Sequence, residues 1–267
     1  MPLHLTATFR DALAAASRPL IGMWACSGSP LLAEVDAGSG LDWLLIDMEH
    51  SANTLESTLL QLQVVAAYPI VPVVRVRFND LVAIKQVLDL GAQNLIVPMV
   101  STADEARAAV AATRYPPEGV RGVGSALARS ARWNRVEGYL GDAASHVSLT
   151  VQVETAAAVE NAAEIAVVHG VDAVFVGPSD LAASLGHLGQ QSHPAVRDAV
   201  CRTFAAVKAA GKPVGVNAFD PAQADAYIAA GADFVAVGAD VAMLARASEA
   251  LAARFIPAVD AAPRASY

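Results

Sequence analysis

Lysine is almost missing from this chain: Lys85, Lys208 and Lys212 are the only three in 267 residues. An enzyme that activates a carbonyl group through a Schiff base needs a lysine where the substrate binds. Lys85 and Lys208 fall inside helix-period segments, and Lys212 comes before an apolar run rather than after one, so none is placed for that role. Cysteine is scarcer still. Cys26 and Cys201 lie far apart, as expected of reduced thiols rather than a disulfide or zinc framework. Charged residues reach only 16%, and the net charge is −8. That balance speaks against nucleic acid, whose recognition needs a basic face. With 55% hydrophobic residues it also excludes a disordered chain. No apolar run approaches the ~20 residues of a membrane span, and Met1 to Arg10 carries no basic-then-apolar leader pattern. The expectation is a cytoplasmic protein that works without a membrane. The dinucleotide fingerprint G-x-G-x-x-G is missing too.

What is present alternates. Apolar, strand-like runs occur at 20–25, 42–47, 70–76, 94–98, 148–154, 171–177, 213–217 and 233–238. Each is followed by an Ala-rich, helix-period segment, at 29–38, 54–67, 79–90, 101–112, 155–168, 193–210, 219–230 and 240–256. Eight strand-then-helix units in a chain near the ~250 residues of an α/β barrel predict a (β/α)8 TIM barrel. Residues 1–267 are read as one such domain, in which segment 5–17 is a helix capping one end. An open doubly wound sheet is the alternative, and it would normally have fewer strands. Gly40, Gly91, Gly170 and Gly231 each precede an apolar run, as expected where a helix ends in a left-handed residue. The one long irregular stretch, 114–135, is arginine-rich and contains Pro116-Pro117; loops this long are often functional or sit between subunits.

In such a barrel the working residues lie at the C-terminal ends of the strands. Those positions hold Trp24, Ser27, Asp47, Glu49, His50, Arg75, Arg77, Gln152, Glu154, Ser179, Asp180, Asn217 and Asp240. Glu154 and Asp180 form the natural metal pair, because two carboxylates plus water and substrate oxygens suit Mg²⁺ or Mn²⁺. Glu154 also reads as a carboxylate opening the next helix, and Asp180 as a helix N-cap within a plain turn. Asp47 and His50 are spaced to form a carboxylate–imidazole base, although His50 also fits a histidine packed at a strand exit. An arginine would supply a fork for a carboxylate or enolate oxygen. Alternation does not separate Arg75 from Arg77. With no lysine at the rim, carbon–carbon chemistry would need a metal as electron sink.

Five motifs, in order, resemble the HpcH/HpaI aldolase family of metal-dependent pyruvate aldolases. They are Asp47-Met48-Glu49-His50, Lys85 to Ala92, Arg114-Tyr115-Pro116-Pro117 with Arg121-Gly122, Val151-Gln152-Val153-Glu154, and Gly177-Pro178-Ser179-Asp180-Leu181. The resemblance spans nearly the whole chain. It implies reversible cleavage of 4-hydroxy-2-oxo acids, such as 4-hydroxy-2-oxoheptanedioate, to pyruvate and an aldehyde through a pyruvate enolate, in the catabolism of aromatic compounds. It implies Glu154 and Asp180 as ligands of Mg²⁺, Mn²⁺ or Co²⁺, with Gln152 in support and no organic cofactor. It makes Arg75 the group on the pyruvyl oxygens and His50 with Asp47 the general base. The backbone amides of Ser179 and Asp180 would hold the substrate carboxylate, Trp24 would line the pocket, and Asp89 would reach across a subunit boundary. It further implies a homohexamer, a trimer of dimers with an exchanged C-terminal helix. Arg77 and the strand end Val216-Asn217-Ala218-Phe219 depart from the family pattern and leave the aldehyde partner open. A CoA-ester lyase of the malyl-CoA or citramalyl-CoA type is the competing enzyme, and a non-catalytic binding barrel the competing non-enzyme.

Overall fold

In a computed structural model, which describes residues 3–256, the eight apolar runs close into a ring of parallel strands in chain order. They are β1 (Leu20–Ala25), β2 (Trp43–Asp47), β3 (Val71–Arg75), β4 (Asn94–Val97), β5 (Ser148–Val153), β6 (Ala173–Val176), β7 (Val214–Asn217) and β8 (Phe234–Ala239). Twelve helices accompany them: α1 (Phe9–Ala15), α2 (Pro30–Ala37), α3 (Leu55–Val65), α4 (Leu81–Asp89), α5 (Ala103–Thr113), α6 (Tyr139–Asp142), α7 (Ala156–Glu160), α8 (Ala162–Ala166), α9 (Pro178–Ser184), α10 (Pro194–Ala209), α11 (Pro221–Ala229) and α12 (Asp240–Phe255). The (β/α)8 expectation holds. Segment 155–168 breaks at Asn161 into α7 and α8, and α9 occupies a stretch the sequence suggested as a turn.

Parallel strands covered by helices are buried on both faces, so their sequences read as unbroken Val, Ile and Leu. Outward residues such as Leu44, Ile46, Val74 and Val151 pack beneath the helices in one continuous layer. Inward residues fill the ring. Aromatics are only 6% of the chain, yet Trp43, Phe175 and Phe234 meet there edge-on or stacked at 5.8–6.4 Å. The glycines of β1 and β7 make room for them. A Cβ on Gly22 would lie 2.4 Å from the Trp43 ring, and one on Gly215 would lie 2.3 Å from Phe234.

α1 closes the N-terminal end of the ring, as the sequence suggested. Its capping box joins Thr8 and Asp11. Phe9, fully buried, lies 5.4 Å from Trp43 and 5.2 Å from Phe234, and its backbone N–H donates to Asn94 Oδ1 at 2.7 Å. Burying such a ring contributes roughly 2–3 kcal/mol. With its lower end filled by aromatics, the barrel has space for polar groups only at the other rim.

The arginine-rich stretch folds back on α4. Arg121 is fully buried, with its guanidinium 4.7 Å from the Tyr115 ring and Nη2 donating to Asp89 at 3.3 Å. Arg129 donates to the Leu90 carbonyl at 3.1 Å, at the C-terminal end of α4, where a cation is favoured.

Candidate active site

Period-two alternation carries the inward rows of the strands from apolar to ionisable. Trp43 and Leu45 lead to Asp47, Val71 and Val73 to Arg75, and Thr150 and Gln152 to Glu154. The register of β2 and β3 sets Asp47 beside Arg75. Arg75 donates through Nε at 2.8 Å and Nη2 at 2.9 Å to the two oxygens of Asp47, a fork-to-carboxylate pair. Its Nη1 approaches Glu49 Oε2 at 2.9 Å, and its flat face lies 4.2 Å from the Trp24 ring centroid. Burial works against the charge on Arg75. The bonded Asp47, with Glu49 and Glu154 nearby, outweighs it and holds the guanidinium pKa above its usual value.

Asp47 also accepts the backbone N–H groups of Glu49 and His50, at 3.0 and 3.2 Å. These bonds correct one expectation. The Asp47–His50 base pair read from spacing does not form, because both carboxylate oxygens serve Arg75 and the turn that follows β2. The His50 ring points outward, 64% exposed, with Nε2 3.9 Å from Glu49 Oε2.

Glu154 follows β5, where its carboxylate is almost wholly buried. Oε1 accepts the Met99 N–H at 2.7 Å, and Oε2 accepts from the Gln152 side chain. Met99 adopts φ 56°, a left-handed conformation that costs a side-chain-bearing residue roughly 1–2 kcal/mol and aims its N–H at the acid. Burial pushes Glu154 up to about 7; the Met99 bond pulls down, and repulsion from Glu49 and Asp180 adds to the rise. Glu49 is likewise pushed up to about 7, by burial first, with repulsion from Asp47 and Asp180 against the pull of Arg75. Ser179 and Asp180 lie in the first turn of α9, which opens with Pro178, a residue suited to that position.

Trp24, Asp47, His50, Arg75, Gln152, Ser179 and Asp180 are among the residues that line one cavity of about 1170 Å³; Glu49 and Glu154 lie beside Arg75 and Gln152 rather than in the lining itself. Its outer wall is mostly apolar, with Phe219, Val237, Val241 and Met243, and Arg246 adds a cation. Cys26 lines it too, but burial first, then nearby Asp47 and Asp240, push the thiol up to about 12, which leaves it without nucleophilic character. Lys212 lies elsewhere, donating to the Val171 carbonyl at 2.7 Å. Arg77 is exposed and reaches only the Asn53 carbonyl, at 3.4 Å, so the structure separates it from Arg75. Asp89 pairs with Arg121, away from the cavity lining.

The rim fits a small hard cation. Asp47 and Glu49 both pair with Arg75, and Glu49, Glu154 and Asp180 stand near enough to repel one another, so carboxylates outnumber the guanidinium. Gln152 Oε1 is buried without a partner. A Cβ at Gly177 would lie 2.7 Å from both Gln152 Nε2 and Glu154 Oε2, so glycine keeps that space open. Among the described residues no three His, Cys, Asp or Glu side chains are grouped so as to hold a metal ion by themselves. An ion here would therefore take water and substrate oxygens as well, which is the habit of Mg²⁺.

The model of the HpcH/HpaI aldolase/citrate lyase family matches residues 20–247. The chain belongs to that family. It is a carbon–carbon lyase of the aldolase kind. A relative from Salmonella arizonae named 4-hydroxy-2-oxo-heptane-1,7-dioate aldolase is 54% identical over 247 residues, covering 92% of this chain and 94% of its own. A crystal structure of a family protein from Burkholderia cenocepacia superimposes with a TM-score of 0.89 at 42% identity, covering 93% of this chain and 99% of the other. The CitE protein of Mycobacterium tuberculosis, solved with magnesium and acetoacetate, shares the fold at a TM-score of 0.57 and 16% identity, covering 83% of this chain and 86% of its own.

Sequence reasoning missed three features of the site. The Met99 amide left no signal, because nothing local announces a left-handed methionine. Glu49 was placed at the rim without a part in the charge balance. Gly177 was read as a turn residue, whereas its missing side chain is what admits Glu154 and Gln152.

Proposed function

We propose that this aldolase cleaves 4-hydroxy-2-oxo acids, of which 4-hydroxy-2-oxoheptanedioate is the leading candidate, to pyruvate and an aldehyde with a divalent cation at Glu154 and Asp180. One observation carries the reading: Glu154 and Asp180 bring further carboxylates to a rim whose buried guanidinium, Arg75, is already paired with Asp47 and Glu49. A bound divalent cation would polarise the keto oxygen, a task that in other aldolases falls to an amine nucleophile. Mg²⁺, Mn²⁺ and Co²⁺ all suit such oxygen donors.

The chain's own residues do the rest. Arg75 uses two of its five N–H groups on Asp47 and leaves others for the pyruvyl oxygens. Asp47 holds the fork rigid, a positioning role in place of the base pair. His50, open to the cavity, takes the proton from the C4 hydroxyl, directly or through water. Loss of that proton breaks the C3–C4 bond, releasing the aldehyde and leaving the pyruvate enolate to be protonated at C3. The first turn of α9 offers the backbone N–H groups of Ser179 and Asp180 to the substrate carboxylate. Gln152 orients Glu154, and Trp24 walls the pocket beside Arg75. The phosphates of a CoA ester would meet Arg246 on an outer wall that is otherwise mostly apolar, which favours the smaller substrate.

The subunits are expected to assemble as a homohexamer, a trimer of dimers in which α12 is exchanged and Asp89 reaches the neighbouring subunit. In support, α12 buries only Asp240 and leaves Leu244, Leu251 and Phe255 exposed. The working compartment is taken to be the cytoplasm; no described helix is long and apolar enough to cross a membrane. The test is pyruvate release, coupled to lactate dehydrogenase, after chelation and after return of each metal. Full activity in the chelated enzyme, or in Glu154→Ala, overturns the scheme.

A further inference from the structure

Asn217 ends β7. Its Oδ1 accepts the indole N–H of Trp24 at 2.8 Å. The two residues are not on neighbouring strands: β8 runs between them, with Ala236 beside Asn217 and Ala239 beside Trp24 in the register. These small residues let a bond pass over the end of β8. The indole is buried, 6% exposed, with Arg75 4.2 Å from its ring and Phe175 6.1 Å away. An indole N–H is a donor only and needs an acceptor when buried. Asn217 supplies it and thereby selects one orientation of a large ring.

That orientation matters for one half of the cavity. Arg75 marks the pyruvyl half. Trp24, Asn217, Phe219, Val237 and Met243 wall the space beyond, where the second product must form. We propose that Asn217 is the positioning residue that sets the aldehyde specificity of this enzyme: by pinning Trp24 against Arg75 it keeps the aldehyde half narrow and disfavours aldehydes branched beside the carbonyl. The inference rests on the aldolase reading above and deepens it. Without the bond, the indole has a buried donor to satisfy and turns towards water at the mouth, opening room for a side branch. A single methylene in a shaped pocket changes selectivity by about tenfold or more.

The experiment uses the full-length protein loaded with Mg²⁺. Exchange of the pyruvate methyl protons in D₂O, with no aldehyde present, is followed first by NMR. Addition of pyruvate to propanal and to 2-methylpropanal is then compared in the wild type, Asn217→Leu, Trp24→Phe and the double variant. Asn217→Leu keeps the branched outline of the side chain, with more bulk, and removes the acceptor; Trp24→Phe removes the donor from the other side. Each is expected to raise the branched-to-linear ratio of kcat/KM by about tenfold, chiefly through KM for the branched aldehyde. The double variant is expected to go no further, because both changes cut the same bond. Asn217→Asp, which retains an acceptor, should stay within about threefold of the wild type. If the wild type shows neither exchange nor addition, the aldolase reading fails and the specificity claim falls with it. If the wild type is active but the ratio is unmoved in both single variants, or the two shifts simply add, the role of Asn217 is overturned while the aldolase reading stands.

Discussion

Asp47 and Arg75 sit side by side in the β2–β3 register, and the carboxylate takes both Nε and Nη2 of the guanidinium, at 2.8 and 2.9 Å. The pair is buried. Arg75→Lys keeps the charge but has no planar fork, so it cannot hold Asp47 with two parallel bonds and face the substrate at once. A loss of about 100-fold in kcat is expected, the scale seen when one preorganised donor to a developing oxyanion is removed. Steady-state kinetics of pyruvate release check it. An unchanged rate would take Arg75 out of the mechanism.

Asp47→Asn separates the two proposed roles of this acid. The amide preserves shape and removes the charge, leaving the buried Arg75 without its two-bond carboxylate partner and with Glu49 alone in ion-pair contact. Breaking a buried ion pair in this way typically costs about 3–5 kcal/mol. Urea denaturation should show that loss, with a fall in kcat but little shift in the pH profile, since His50 rather than Asp47 carries the proton. A shifted acid limb would return Asp47 to the base.

Glu154 and Glu49 are both pushed up to about 7 from an ordinary value near 4.5. Below pH 4.5 both are neutral in the folded and unfolded chain, and stability carries no penalty from them. As pH rises towards 7 the unfolded acids ionise first, so the metal-free protein loses stability through that window, and the loss levels off above it. The melting temperature of chelated wild type should therefore drop between pH 5 and 7.5, and that of Glu154→Gln should drop less. A cation bound to the carboxylate releases the proton it displaces. Titration calorimetry in buffers of different ionisation heat should find proton release on Mg²⁺ binding at pH 6 and little at pH 8. Equal release at both would contradict the raised acids.

The strands were legible because both of their faces are buried: runs such as Leu44-Leu45-Ile46 have few other places to go, and each run lands on a strand within a residue or two. Asp47 and Glu154 were legible as rim acids because a carboxylate ending such a run has to emerge at the rim. The partner of Asp47 was not. His50 lies three residues away in sequence, and Arg75 twenty-eight; only the register of β2 against β3 decides between them, and register is not a property of either strand alone. Arg75 and Arg77 looked alike for a similar reason. They share parity, and what parts them is that β3 stops at Arg75 and, past the buried Val76, the chain turns out to solvent at Arg77. α9 was expected only as a segment capped by Asp180, and it starts earlier, at Pro178 with Gly177 as its cap, because Gly-Pro-Ser-Asp satisfies a turn equally well in sequence.

Gly177→Ala is the smallest change that probes the acid cluster. The added methyl would lie 2.7 Å from Gln152 Nε2 and Glu154 Oε2 and 3.1 Å from Glu154 Cβ. The side chains must move, while the backbone conformation, with φ −100°, accepts alanine readily. Weaker Mg²⁺ binding, by about tenfold or more as for other disturbed metal surroundings, is expected with a melting temperature near that of the wild type. Fluorescence or calorimetric metal titration measures the first, and a thermal scan the second. Unchanged affinity would mean that the cation does not use Glu154.

α12 supplies the last prediction. A helix that closes a barrel unit normally buries an apolar stripe against its own neighbours. Here only Asp240 is buried; Met243 is 58% exposed, Leu251 63% and Phe255 72%. On α2, Leu31 and Val35 are left open as well, at 68% and 63%. Apolar side chains of this size, exposed on two helices of one chain, favour a second copy as their cover. Leu251→Asp with Phe255→Asp should shift the assembly to smaller species in light scattering behind size exclusion, because a carboxylate in an apolar interface is costly to desolvate. The isolated barrel should keep its far-UV spectrum, since these residues contribute nothing to its own core. A hexamer that survives both substitutions would place the interface elsewhere and leave α12 without a partner of its own kind.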